Sequence, residues 1–172
     1  MFTTRWRRYR RCSTTIKSSL LAKAARLAAG LLLLVQIGAV QAQAFSESFD
    51  DITTLTDSGW VMSNASVPVG VQPWFQGNAT VFNANSGANN AYIAVNFSST
   101  GSSGTISNWL MMPTRTLKNG DVLTFYTRKP TANPTDYPDR LEVRMSTNGA
   151  STNVGSGGTT GDYTQPLLSI NP

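Results

Sequence analysis

Apolar residues in this chain recur at every second position, and that spacing limits what the chain can fold into. In "YIAVNF", Ile93, Val95 and Phe97 fall on one side. In "DVLTFYTRK", Leu123 and Phe125 share a side, with Val122, Thr124 and Tyr126 opposite. In "RLEVRMS", Leu141, Val143 and Met145 alternate with Arg140, Glu142 and Arg144, whose charges also alternate in sign. Successive side chains of a strand point to opposite faces, so each stretch predicts a half-buried strand, the last with an ion-paired outer face. No stretch sustains the period of an amphipathic helix.

Turn residues punctuate these runs. "KNGD" (Lys118 to Asp121) and "TNGA" (Thr147 to Ala150) carry Asn-Gly, which favours the positive backbone angles of tight hairpins. Three polar stretches predict longer loops: "SSTGSSG" from Ser98, "KPTANPTDYPD" from Lys129 and "GSGGTTGD" from Gly155. Short strands between Gly- and Ser-rich loops predict an all-β chain, an antiparallel jelly-roll-like β-sandwich.

Residues 1–44 differ from the rest. They hold eight cations (Arg5, Arg7, Arg8, Arg10, Arg11, Lys17, Lys23 and Arg26) and no acid. A 14-residue apolar run, "LAAGLLLLVQIGAV", follows, then "AQA" at Ala42 to Ala44. Basic segment, short apolar run and small-residue motif together predict a helical signal peptide cleaved between Ala44 and Phe45. The run is too short for a membrane span, which needs about 20 residues. Export implies a secreted, extracellular or cell-surface protein that meets the membrane only through this peptide. Residues 45–172 then form one domain.

Cleavage inverts the charge. The full chain carries +5, whereas residues 45–172 carry six cations against nine carboxylates, a net −3. No basic surface remains to draw the domain to nucleic acid. Cys12, the only cysteine, leaves with the peptide, and the chain has no histidine. A Ser-His-Asp triad, a Cys-His pair and a His/Cys zinc site are therefore excluded. Paired-carboxylate glycoside hydrolysis survives as the alternative chemistry, with Glu47, Asp136, Asp139 and Glu142 as its acids. Glu142, set between arginines, reads as a surface ion pair.

Glu47 is the unusual carboxylate. Alternation in "FSESFD" places it with Phe45 and Phe49 on one face, and a buried charge there needs a partner. An arginine could serve, or a hard cation such as Ca²⁺ held by several oxygens, with Asp50, Asp51, Asp136 and Asp139 as further ligands. A frayed strand that leaves Glu47 in water is the third option. Trp60, Trp74 and Trp109 read as core. In "WFQGNATVFNA", Trp74 and Phe75 point to opposite faces, "QGN" makes a turn, and Val81 and Phe82 re-enter apolar structure. Trp109 to Met112 read as a buried strand closed by Pro113.

Taken in order, "FSESFDD…GW", "WFQGNATVFNANSGANNAYIAVNF", "GTISNWLMMP", "LKNGDVLTFYTR" and "PDRLEVRMSTNG" resemble the choice-of-anchor J domain, a group related to cleaved-adhesin and MAM-like jelly-roll domains. The resemblance covers nearly all of residues 45–172. It implies a bacterial surface β-sandwich with no catalytic motif, relatives among adhesins, and structural calcium in some members, for which Glu47 and Asp139 are the positions to test. It also implies further strands after "QPLLSINP", so that the copy here is C-terminally incomplete. The expected function is non-catalytic adhesion or recognition of an extracellular protein or glycan, with a carbohydrate-binding, glycan-hydrolysing or structural surface role as the alternative.

Overall fold

A computed structural model describes residues 4–5, 44–130, 135–137 and 139–172. The expected signal peptide, residues 1–44, therefore lies outside the described residues save for Thr4, Arg5 and Ala44, as do residues 131–134 and Pro138 of the proline-rich stretch. The strands are β1 (Thr4–Arg5), β2 (Ser46–Glu47), β3 (Val61–Asn64), β4 (Val67–Val69) and β5 (Phe75–Gln76). They continue with β6 (Ile93–Ala94), β7 (Thr100–Thr105), β8 (Asn108–Met111), β9 (Leu141–Met145) and β10 (Gln165–Ile170). Two short 3₁₀ turns, η1 (Ile52–Thr54) and η2 (Phe97–Ser99), complete the set.

The fold is all-β and antiparallel. Strands pair as β1–β2, β3–β8, β4–β7, β5–β6 and β9–β10. These five ladders remain separate two-stranded sheets among the described residues, so the two continuous layers of a sandwich are not assembled.

The core gathers around Trp60. Phe49, Ile52, Leu55, Trp60 and Ile93 are buried together, with Phe45, Met62, Trp74, Leu110 and Met112 packed against them. Phe49 meets Trp60 edge-on, with ring centroids 5.5 Å apart. The path through this cluster is set by capping. The Asp51 carboxylate accepts the N–H of Thr53 and starts η1. Gly59, at φ +81°, then turns the chain so that the Trp60 N–H reaches Leu55 O. From Trp60 the chain runs into β3, whose Met62 faces Leu110 of β8.

Gln76 joins three segments at the edge of this core. Its Oε1 accepts the N–H of Ile52 at 2.9 Å. Its Nε2 donates to the carbonyls of Phe49 (2.9 Å) and Asn90 (2.7 Å), with Tyr92 O at 3.3 Å. Beside it, Gly77 lies so close to the Tyr92 ring that a Cβ there would overlap the ring and sit 2.5 Å from Asn90 O. The turn of this region starts at Asn78, the last residue of "QGN", whose carbonyl accepts from Val81 and Phe82, and runs through residues 79–81.

Several sequence expectations need correction. "SSTGSSG" is not a loop but most of β7. Gly101 and Gly104 make this possible, because a Cβ at either would press on Pro68 of β4, at 2.7 and 2.8 Å. Residues 121–126 alternate in burial as expected, with Leu123 and Phe125 inward, yet they belong to no strand. Alternation selects faces, whereas a strand also requires a neighbour in register. The turn at "KNGD" forms, with the Asp121 N–H on Lys118 O, but closes no hairpin. Likewise β9 pairs with β10 across a long connection and not through "TNGA". Both faces of β9 are half-buried, so Glu142 and Arg144 are not on an open solvent face.

Candidate functional site

The carboxylates singled out in the sequence are engaged separately. Strand β2 ends after Glu47, and Phe49 takes a left-handed conformation at φ +57°. This turns Phe49 fully into the core, while the Glu47 Oε1 accepts the Phe49 N–H at 2.8 Å. A local backbone donor thus meets the half-buried carboxylate. Asp50 accepts from Ser48 Oγ at 2.6 Å, and Asp51 caps η1. Asp136 pairs with Lys129, and Asp139 is exposed, its carbonyl accepting from Asn171 Nδ2 at 3.2 Å. Glu142 Oε2 lies 2.7 Å from Arg144 Nε, and that hydrogen bond holds its pKa below the ordinary value. Such a carboxylate is poorly suited to act as a general acid. Among the described residues no three of His, Cys, Asp and Glu come together as a metal group. At the expected cleavage point, Ala44 is exposed and Phe45 is half-buried, its ring 3.7 Å below the Arg115 guanidinium.

The surface that stands out carries no charge. Strands β4 and β7, with η2 beside them, form a shallow depression of about 490 Å³. Val69, Val71, Phe97 and Ile106 supply its apolar lining, with Ser98, Thr100 and Ser103 among them. Val71 is 92% exposed and Phe97 81%. Sequence periodicity placed Phe97 inward with Ile93 and Val95. Only Ile93 is buried, because β6 ends at Ala94. The Asn96 side chain accepts the Ser98 N–H at 2.9 Å and caps η2, which swings Phe97 outward. An Asn directly before "FSS" is the signal that could have announced this.

A buried polar tie holds the depression in shape. Ser99, fully buried, donates its hydroxyl to Asn96 O at 2.9 Å and accepts from Asn108 Nδ2 at 2.7 Å. Its carbonyl accepts from Asn64 Nδ2 at 2.7 Å and from the Gly70 N–H at 2.9 Å. One residue therefore fastens η2 to β3, β8 and the segment after β4. Thr100 Oγ1 adds a bond to Pro68 O at 2.8 Å. On the other side, Ser66, also buried, accepts from the Ser107 N–H at 2.9 Å. The exposed apolar side chains stand on a base tied by these bonds, in which Asn108 Oδ1 is buried without a partner among the described residues.

With no ionisable side chain in its lining, this face has apolar surface, hydroxyls and backbone groups to offer. Among the described residues, no tryptophan contributes to it. Trp60 is in the core, Trp74 packs on the core and donates its Nε1–H to Trp109 O at 3.0 Å, and Trp109 leans on Tyr163 with centroids 5.3 Å apart.

No protein-family model matches the chain, and neither a curated protein nor a solved structure does.

Proposed function

We propose that residues 45–172 are a non-catalytic, secreted or cell-surface recognition module of the choice-of-anchor J type, built on a jelly-roll-like β-sandwich plan, and that it binds through the β4–β7 face. The observation that carries this reading is Phe97, which stands 81% exposed among Val69, Val71 and Ile106 on a rigidly tied base. Contiguous exposed apolar groups of this kind mark interaction sites. Three of the four side chains are aliphatic, which suits an apolar protein surface better than a sugar ring. The antiparallel all-β architecture and the ordered motifs support the family reading. Calcium, if bound at Glu47 and Asp139, would serve the fold and not a reaction.

Binding of the full chain to arrays of extracellular proteins and glycans tests this proposal, with Phe97→Ser and Ile106→Ser as controls. Fully burying a Phe or Ile side chain contributes about 2 kcal/mol, so each variant should weaken a protein partner about tenfold or more. Binding to no array member, in calcium or in chelator, would sink the proposal, as would binding indifferent to both variants. Hydrolysis of a polysaccharide that is lost in Asp136→Asn or Asp139→Asn would replace it with the glycosidase reading. For calcium, a melting temperature equal in excess calcium and in chelator counts against a stabilising site.

A further inference from the structure

Two exposed Asn-Gly pairs, Asn119-Gly120 and Asn148-Gly149, are alike in sequence but held very differently. We propose that Asn119 is a site of spontaneous covalent modification, deamidation through a succinimide, and that the carboxylate of Asp162 protects Asn148 from the same fate.

The two glycines offer equal access. Both have positive φ, +93° at Gly120 and +55° at Gly149, and neither has an atom within 4 Å of where a Cβ would stand. With no side chain in the way, the glycine nitrogen can approach the preceding Asn Cγ. The asparagines differ. Asn148 Nδ2 donates to Asp162 Oδ2 at 2.7 Å, its N–H is received by Ser146 Oγ at 3.1 Å, and its carbonyl accepts from the Ser151 N–H at 3.1 Å. Asp162 is itself fixed by Ser151 Oγ at 2.6 Å and Asn153 Nδ2 at 3.2 Å. The Asn119 side chain has no hydrogen-bond partner among the described residues. Its turn is nevertheless closed on both sides, by the Asp121 N–H on Lys118 O at 3.0 Å and the Lys118 N–H on Asp121 Oδ2 at 2.8 Å. The amide is therefore free to rotate on an ordered frame.

In the reaction, the Gly120 nitrogen attacks Asn119 Cγ. The new C–N bond forms as the Cγ–Nδ2 bond breaks, and the nitrogen's proton leaves with ammonia. Water then adds to one carbonyl of the five-membered imide and opens it, giving aspartate or isoaspartate. Water is the only co-reactant and no redox change occurs. The product places a carboxylate beside Asp121, and the isoaspartate form adds a methylene to the backbone of the turn leading to Leu123 and Phe125. For Asn148 the same attack must first draw Nδ2 away from Asp162.

The test is incubation of the full chain at mildly alkaline pH, followed by peptide mapping with mass and isoaspartate detection. In native buffer Asn119 should convert about tenfold faster than Asn148, the factor that corresponds to breaking one charge-assisted hydrogen bond. In strong denaturant the two rates should converge, which shows that the difference is structural. Asp162→Ala should accelerate Asn148 toward the rate of Asn119. Asp57→Ala, which removes an exposed carboxylate outside this hydrogen-bond network, should not. Equal native rates, an Asn148 faster than Asn119, or equal acceleration by both variants would overturn the assignment.

Discussion

Replacing Gln76 would show how much of this fold rests on one side-chain amide. The amide satisfies the N–H of Ile52 and the carbonyl of Phe49, both on buried residues, and ties them to Asn90. Gln76→Ala deletes three bonds of 2.7 to 2.9 Å and orphans two buried backbone groups. A buried orphan costs about 1–3 kcal/mol, and water can reach the Asn90 side, so the expected loss is about 3 kcal/mol. That is a large share of the 5–15 kcal/mol typical of a whole domain. Gln76→Met separates the causes, since it keeps the length and apolar bulk but offers neither donor nor a good acceptor. If hydrogen bonds dominate, Gln76→Met falls within about 1 kcal/mol of Gln76→Ala. Urea unfolding followed by the fluorescence of Trp60, Trp74 and Trp109 reads both variants, with stability changes appearing in the midpoint at constant slope. A Gln76→Met protein as stable as the parent would refute the reasoning and assign the role of this residue to packing.

Gly77→Ala should cost about 3 kcal/mol, at the upper end for overpacking, because Tyr92 is pinned by its hydroxyl to Asn78 O and N–H and its ring cannot retreat. Its urea midpoint should match that of Gln76→Ala. Tyr163 has a pKa raised above 10.0, chiefly by burial and then by the charge of Asp162. Its neutral form is favoured in the folded state, so stability holds below the ordinary tyrosine range and falls as pH rises through it. Ultraviolet titration should show a late-ionising phenol that disappears in Tyr163→Phe. For Glu142, lowered from 4.5 mainly by its bond to Arg144, the sign is opposite. Its contribution is present above the ordinary glutamate range and is lost as pH falls through the lowered value, so Glu142→Gln should flatten the acid limb of the urea midpoint against pH.

The sequence revealed faces better than partners. Alternation correctly oriented Leu123 and Phe125, and "ISNWLMMP" held a true strand that stops before Pro113. It could not show that residues 121–126 form no ladder, because pairing depends on a neighbour distant in sequence. Glycine misled in β7, where "SSTGSSG" has the composition of a loop but is required by the approach of Pro68. At Glu47, periodicity left an arginine, a hard cation or a frayed strand open, whereas a left-handed Phe49 brought a backbone N–H within reach. The exposed apolar face was hidden for a related reason. Phe97 continued a period-two pattern, but β6 had already ended at Ala94 and the Asn96 cap started η2 instead.

The division of labour around Ser99 bears on how this protein can change over generations. Gly101, Gly104 and Ser99 are locked by close approach and by buried bonds, so nearly any replacement there disturbs the scaffold. Val71 and Phe97, almost wholly in solvent, support nothing beneath them. Selection can therefore exchange the outer residues freely while the frame beneath stays the same. A lineage carrying this face can vary its outer residues without passing through an unfolded ancestor.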